Sequence, residues 1–309
     1  MFALTLAALA SGCGSSDPNP APQAQGDAAA ADAAVADAGT GAVLPDAPPG
    51  SAADTAGVGA PAAPAVCLES PAPRFAGRPV VTVDVELTYA GKPIVFGEPF
   101  ALPTGTLTVT NLRFYLSDLA LLRSNGDPVP VDLIAADGAP VPYNVHLVSP
   151  EDPAAMSFRI AGPAGDYNGV SLLLGLNDVC NRNNPGASQP PLTDSSQMTW
   201  PPPFGFLFLR YAGKTVGAPA EVPTQIDLGG LPGINFAPRV TAPGSLKISG
   251  PASTIRLRVA LDEIFKAAAL PITVDPGSVA PPLGPPFMIG EHVRQNAPKV
   301  AIFSLLPSP

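Results

Sequence analysis

The chain predicts an all-β domain, an antiparallel sandwich or barrel-like fold with long Pro/Gly-rich loops and at most one or two short helices. Three observations carry that prediction. Several short apolar segments alternate between two faces or are apolar on both. The segments are separated by loops drawing on 42 Pro and 30 Gly. No segment sustains a long helical periodicity.

The domain begins after a long leader. MFALTLAALASGC (Met1–Cys13) is a short apolar run ending in small residues and a cysteine. It reads as a signal peptide with a lipobox, with lipid attached to Cys13 after cleavage before it. The apolar run is about half the ~20 residues that span a bilayer. Residues 14–65 are rich in Ala, Pro, Gly and Asp and hold no aromatic residue. Such a tract buries too little apolar surface to offset its ordering entropy, so it reads as a disordered tether. The reading places the protein in the cell envelope, as an outer-membrane lipoprotein facing the periplasm or the exterior.

Charge follows the same division. Residues 1–65 contain six Asp and no Lys or Arg. Removing their six charges from the net −9 leaves −3 for residues 66–309, the predicted folded domain. Neither part is basic enough for a nucleic-acid partner. With Cys13 lipidated, Cys67 and Cys180 remain. In an exported domain that pair reads as one disulfide from the domain's start to a central loop, or else as two free thiols.

Along the domain, VVTVDVELTY (Val80–Tyr89) puts Val81, Val83, Val85 and Leu87 on one face and Asp84 and Glu86 on the other. That is a half-buried strand, and Ala90-Gly91-Lys92-Pro93 turns after it. TLTVTNLRFYLSDLALL (Thr106–Leu122) changes phase near Asn111, as a bulged central strand does. Ser124-Asn125-Gly126-Asp127 is a hairpin turn, and VPVDLI continues beyond it. GVSLLLGL and FGFLFLRY read as buried strands. TIRLRVALDEIF alternates and then passes into a short helix over Asp262–Ala269.

Enzyme constellations are weak. There are two His, no GxSxG, no HExxH, no P-loop and no dinucleotide fingerprint. The chain therefore reads as a non-enzyme. His146 is either a ligand or a partly buried structural side chain, and His292 reads as exposed. Asp178 and Asp227 are candidate oxygen ligands or simple loop carboxylates. The single Trp, Trp200, lies in QMTWPPPFGF (Gln197–Phe206). It is either a core aromatic at a rigid turn or part of a functional site.

The order LTVTNLRFYLSDLALL, GDYNGVSLLLGLND, PLTDSSQMTWPPPFGFLFLRYAG, TQIDLGG, TIRLRVALDEIF resembles the MbnP-like family over roughly residues 80–265. The resemblance implies an exported, surface-anchored, copper-binding β-protein of the methanobactin-associated type. It also implies a di-haem partner of the MbnH type, which in some members oxidises a Trp so that the product helps hold copper. Met198, Trp200, Gly205 and Phe206 match the family's Met-x-Trp-x-Trp-x-x-Gly-Tyr, with Phe for the final Tyr. Pro202 stands where the family has a second aromatic or His. Asp227-Leu228-Gly229 stands for His-Leu-Gly, and Asp178 follows Leu176-Asn177 where many members have His. Carboxylates are harder ligands than imidazole and hold Cu(I) poorly. The resemblance thus implies a metal set of Trp200, Asp227, Asp178 and Met198 in a copper site that is altered or lost. The alternative is a non-metal binding or structural lipoprotein on the same scaffold.

Overall fold

A strand of 18 residues, β4 (Gly105–Leu122), organises the domain. In this computed structural model the described residues are 67–103, 105–182, 189–193, 197–200, 205–217, 221–230, 234–249, 253–268 and 286–306. The signal peptide with Cys13 and the tether lie outside them. Five strands pair with β4: β3 (Pro99–Leu102), β5 (Pro128–Pro130), β7 (Val145–Val148), β9 (Gly165–Leu174) and β10 (Leu207–Val216). The second sheet continues through β11 (Glu221–Gly229) beside β10 and β12 (Arg239–Ile248) beside β9, in the order β11-β10-β4-β9-β12.

The phase change expected near Asn111 is a bulge. Opposite β10, Ala212 pairs with Asn111 and Gly213 with Val109, so Thr110 is the extra residue. Before it Leu107 and Val109 are buried; after it Leu112, Phe114 and Leu116 are. The bulge moves the buried set from odd to even positions, and one strand serves the core on both sides of it.

The first sheet holds β1 (Val80–Tyr89), β2 (Lys92–Pro93), β6 (Asp132–Ile134), β8 (Ser157–Ala161), β13 (Thr254–Ala260) and β14 (Phe303–Leu306). Its order is β14-β13-β1-β8-β6, with β2 also on β1. β1 alternates as expected, with Val81, Val83, Val85 and Leu87 buried. Ala90 and Gly91 both take positive φ (48° and 75°), as a tight hairpin between β1 and β2 requires. One pairing departs from the antiparallel expectation: β1 and β13 run parallel, Thr82 opposite Thr254. A parallel partner needs a long crossover, and nearly the whole domain serves as that connection.

The two sheets enclose one core. Phe114 of β4 meets Phe303 of β14 edge-on at 6.4 Å, and Tyr211 of β10 meets Phe265 at 4.9 Å. Phe265 lies on α2 (Leu261–Ala267), the helix expected after TIRLRVA. Among the described residues there are three short α-helices, against the one or two expected: α1 (Asp178–Arg182), α2, and α3 (Pro286–Asn296), which continues into a 3-10 turn at Ala297–Lys299. α3 lies in a Pro/Gly-rich stretch that shows little helical signal.

The free edge of β6 is met by Asn144 and Val141, bonded to the Leu133 N–H and C=O at 2.6 and 2.8 Å, and the start of the domain is tied to β6 through a side chain. Asp132 is buried and accepts hydrogen bonds from the Arg74 and Phe75 backbone N–H groups at 2.6 and 3.0 Å. The Arg74 guanidinium adds a bond at 2.7 Å.

His146, on β7, is structural. Its ring packs on Phe158 at 4.7 Å and its Nε2–H donates to the Ala155 carbonyl at 2.9 Å. Burial lowers its pKa to about 4, partly offset by that hydrogen bond. The folded state therefore binds its proton less readily than the unfolded chain, whose histidine titrates near 6.5. Stability from this group is present above pH 6.5 and is lost as pH falls from 6.5 towards 4. His292 is exposed, as expected.

Two outcomes are expected. Denaturant melts of His146→Gln from pH 7 to 4 should lose less stability than the parent, by up to about 1.4 kcal/mol per pH unit in the window between 6.5 and 4; equal slopes would contradict the assignment. Replacing both Cys67 and Cys180, which are joined across 113 residues with Cα atoms 4.9 Å apart, by Ser should cost about 2–5 kcal/mol in the same melts.

Candidate functional site

Cys180 sits in helix α1, where a loop was expected. Asn177 starts that helix: its Oδ1 accepts from the Cys180 N–H at 2.9 Å, an N-cap bond. The disulfide holds the helix from one side, and Asn181 holds it from the other. Asn181 is buried, and its Oδ1 accepts from the Phe206 N–H at 3.0 Å.

Phe206 belongs to the Trp200 hairpin. The Leu207 N–H donates to the Met198 carbonyl at 2.8 Å, and the Trp200 N–H to the Gly205 carbonyl at 2.9 Å. Pro202 and its two neighbouring prolines lie outside the described residues. Gly205 takes φ 77°, and a Cβ there would meet the Asn181 carbonyl oxygen at 2.5 Å. Both facts require glycine, so the conformation and the close approach to α1 have one cause.

The Trp200 indole is half-buried and lies on Gly229. A Cβ at Gly229 would fall on the indole Nε1 and come within 2.8 Å of the Phe206 carbonyl oxygen. Gly230, next in the chain, lies against the Asn181 amide. Helix α1, the Trp200 hairpin and the end of β11 thus converge through Asn181, Gly205, Gly229 and Gly230.

Of the sequence-predicted set, Trp200 and Asp227 come to one face. Gly229 and Asp227 are two residues apart on β11, so both face the same side of the sheet, about 7 Å apart along it. Met198 is completely buried in the core. Asp178 is exposed at the head of α1, and its carboxylate accepts from Arg182 at 2.9 Å.

Asp227 is occupied. Arg210 donates through Nε to its Oδ1 at 3.2 Å, and Gln225 donates to its Oδ2 at 2.8 Å. Arg210 also donates to the Gln197 carbonyl at 3.1 Å. Its neighbour across the strands, Arg113, donates to the Gln197 side chain at 3.2 Å and pairs with Glu151. The two arginines hold Gln197 at φ 55°, directly before Met198 and Trp200. Two cations and two carboxylates thus balance around the hairpin's first residue.

A copper ion does not fit this arrangement. Among the described residues, no three His, Cys, Asp or Glu side chains are grouped to hold a metal. An indole and one carboxylate share a face, and the carboxylate carries a guanidinium and an amide donor.

Asn181, Gln197 and Arg210 escaped the sequence reading. The signal for Arg210 was the β10–β11 hairpin register: Val216 opposite Glu221 places Arg210 opposite Asp227. Asn177 before a helical turn was the signal for α1 and thus for Asn181.

Gly229→Ala is expected to cost about 2 kcal/mol by overpacking. Because Trp200 is the only Trp, its fluorescence reports the displacement as a shift to longer wavelength. An unchanged spectrum and melt would show that the indole does not rest on Gly229.

Known proteins place the scaffold. The MbnP family profile matches residues 78–280, more than half of the 309-residue chain. Among solved structures, the chain is similar to MbnP from Methylosinus trichosporium, at 22% identity and a TM-score of 0.44. That match covers 60% of this chain and 77% of the other. No curated protein matches. The chain belongs to the MbnP family.

Proposed function

We propose that this protein is an exported, lipid-anchored envelope protein of the MbnP type whose copper site is lost, and that its β-domain acts by binding rather than by turnover. The observation that carries the reading is Arg210. It donates to the Asp227 carboxylate that stands at the family's imidazole position, so a cation of the protein's own neutralises the carboxylate. A metal ion would have to displace that guanidinium and the Gln225 amide together. The Cys67–Cys180 disulfide supports export, because such bonds persist in oxidising compartments. Lipid attachment rests on Cys13 and the apolar run before it. Trp200, seated on Gly229, serves as packing for the hairpin and stays unmodified.

Native mass spectrometry of the full-length protein, recovered from membranes after growth in copper, tests this reading. The expected species carries lipid on Cys13, an intact disulfide, an unoxidised Trp200 and no metal. Stoichiometric copper surviving dialysis, or oxygen added to Trp200, would overturn the loss of the site.

A further inference from the structure

Helix α1 ties two separate parts of the domain together. Its buried residues are Cys180 and Asn181, adjacent in the chain. Cys180 is bonded to Cys67, and Asn181 accepts from the Phe206 N–H of the Trp200 hairpin. A displacement of the helix at one of these residues is therefore felt at the other. Five residues are too few for a helix to persist without such ties.

The two ends of this connection are unequal. The Cys67 end is fixed on the domain without the disulfide. The next residue, Leu68, accepts from the Tyr143 N–H at 2.8 Å, and the Tyr143 hydroxyl donates to Glu69 at 3.1 Å. In the hairpin, Arg113 and Arg210 hold the Gln197 end. The Gly205 end leans on α1. Thr199 and Phe206 face each other there, with the hairpin's backbone bonds at the residues on either side, so the Phe206 N–H turns away from the hairpin and towards Asn181. Phe206 is completely buried. A helix that moved off would leave that N–H with neither acceptor nor water, so the Gly205 arm moves with α1.

We propose that the cystine is a redox latch on the Trp200 site. With the thiols free, α1 and the Gly205 arm open together while the two sheets stay closed; oxidation seats them. Neither cysteine lies in a strand, so strand pairing does not depend on the bond. The oxidant is a disulfide-bonded protein or small molecule, and the inference rests on the export reading for its presence. The Cys180 thiolate attacks one sulfur of the oxidant, whose S–S bond breaks and releases a thiolate. The Cys67 thiolate then attacks the Cys180 sulfur, forms the cystine and releases the oxidant's second sulfur as a thiolate. The two cysteines give up two protons and two electrons, and the electrons reduce the oxidant. Once seated, Cys180 is 1% exposed, so a reductant reaches it when α1 opens and not before. The latch closes more readily than it opens. It is independent of the copper reading.

The test uses purified full-length protein, with labelling read by peptide mapping so that Cys13 does not enter. In Cys67→Ser, N-ethylmaleimide should label Cys180 at a rate independent of denaturant below the unfolding transition, the mark of local opening. Acrylamide quenching of Trp200 should rise in the same variant. In Asn181→Ala with the disulfide intact, dithiothreitol should reduce the bond at least about tenfold faster than in the parent, the equivalent of one lost buried hydrogen bond. Labelling that tracks global unfolding, or loss of the cooperative melt in Cys67→Ser, would overturn the proposal. Unchanged quenching would cut the link to the hairpin, and reduction of Asn181→Ala at the parent's rate would remove the coupling through Asn181.

Discussion

Everything in the domain is indexed to the bulge at Thr110. A strand of β4's length must keep one side towards the opposing sheet, yet five neighbours arrive along it with their own registers. The extra residue resets the phase there, so Leu107 and Val109 before it and Leu112 and Phe114 after it all enter the core, and a second shift at Asp118 returns the odd positions Leu119 and Leu121 to it. Removing the bulge would turn one half of the strand inside out. β10 takes its register from β4, β11 takes its register from β10, and the Arg210–Asp227 pairing follows from that sequence of registers.

The candidate site is assembled by packing of the chain on itself. Close contacts at Gly205, Gly229 and Gly230 bring α1, the Trp200 hairpin and β11 together. Asn181 supplies an acceptor for the Phe206 N–H at that junction, and its burial makes that bond costly to lose. Around it, carboxylates are matched by guanidinium groups. An arginine fork satisfies a carboxylate in fixed geometry without needing a preformed cage of several donors. Convergence of the elements is thus separable from coordination.

Much of the architecture was legible in the sequence, for physical reasons that also mark where legibility ends. β1 announced itself because one face meets water and the other the core. The bulge showed as a broken alternation, and α2 as a change of period after TIRLRVA. The Cys67–Cys180 bond was readable from an even cysteine pair. The parallel neighbour of β1 was not readable, since Thr88 and Val259 meet across 171 residues and nothing local encodes that. Helix α1 is too short to show periodicity. Motif order singled out Trp200 and Asp227, and strand alternation on β11 puts Asp227 on the face where the indole meets Gly229. The partner of Asp227 was hidden because it depends on cross-strand register, with Arg210 17 residues away.

The parallel contact between β1 and β13 has a consequence for how the chain comes together in time. A chain that emerges amino end first presents β1 early and its central neighbour last, so that edge waits through most of synthesis with its hydrogen-bonding groups open. The cystine at residues 67 and 180 spans part of that separation. Once formed, it ties the beginning of the domain to its middle and reduces the loop entropy to be lost when β1 and β13 pair. With the disulfide in place, the shortest chain path between β1 and β13 runs through it, and the two central strands of the first sheet come together across a much smaller loop.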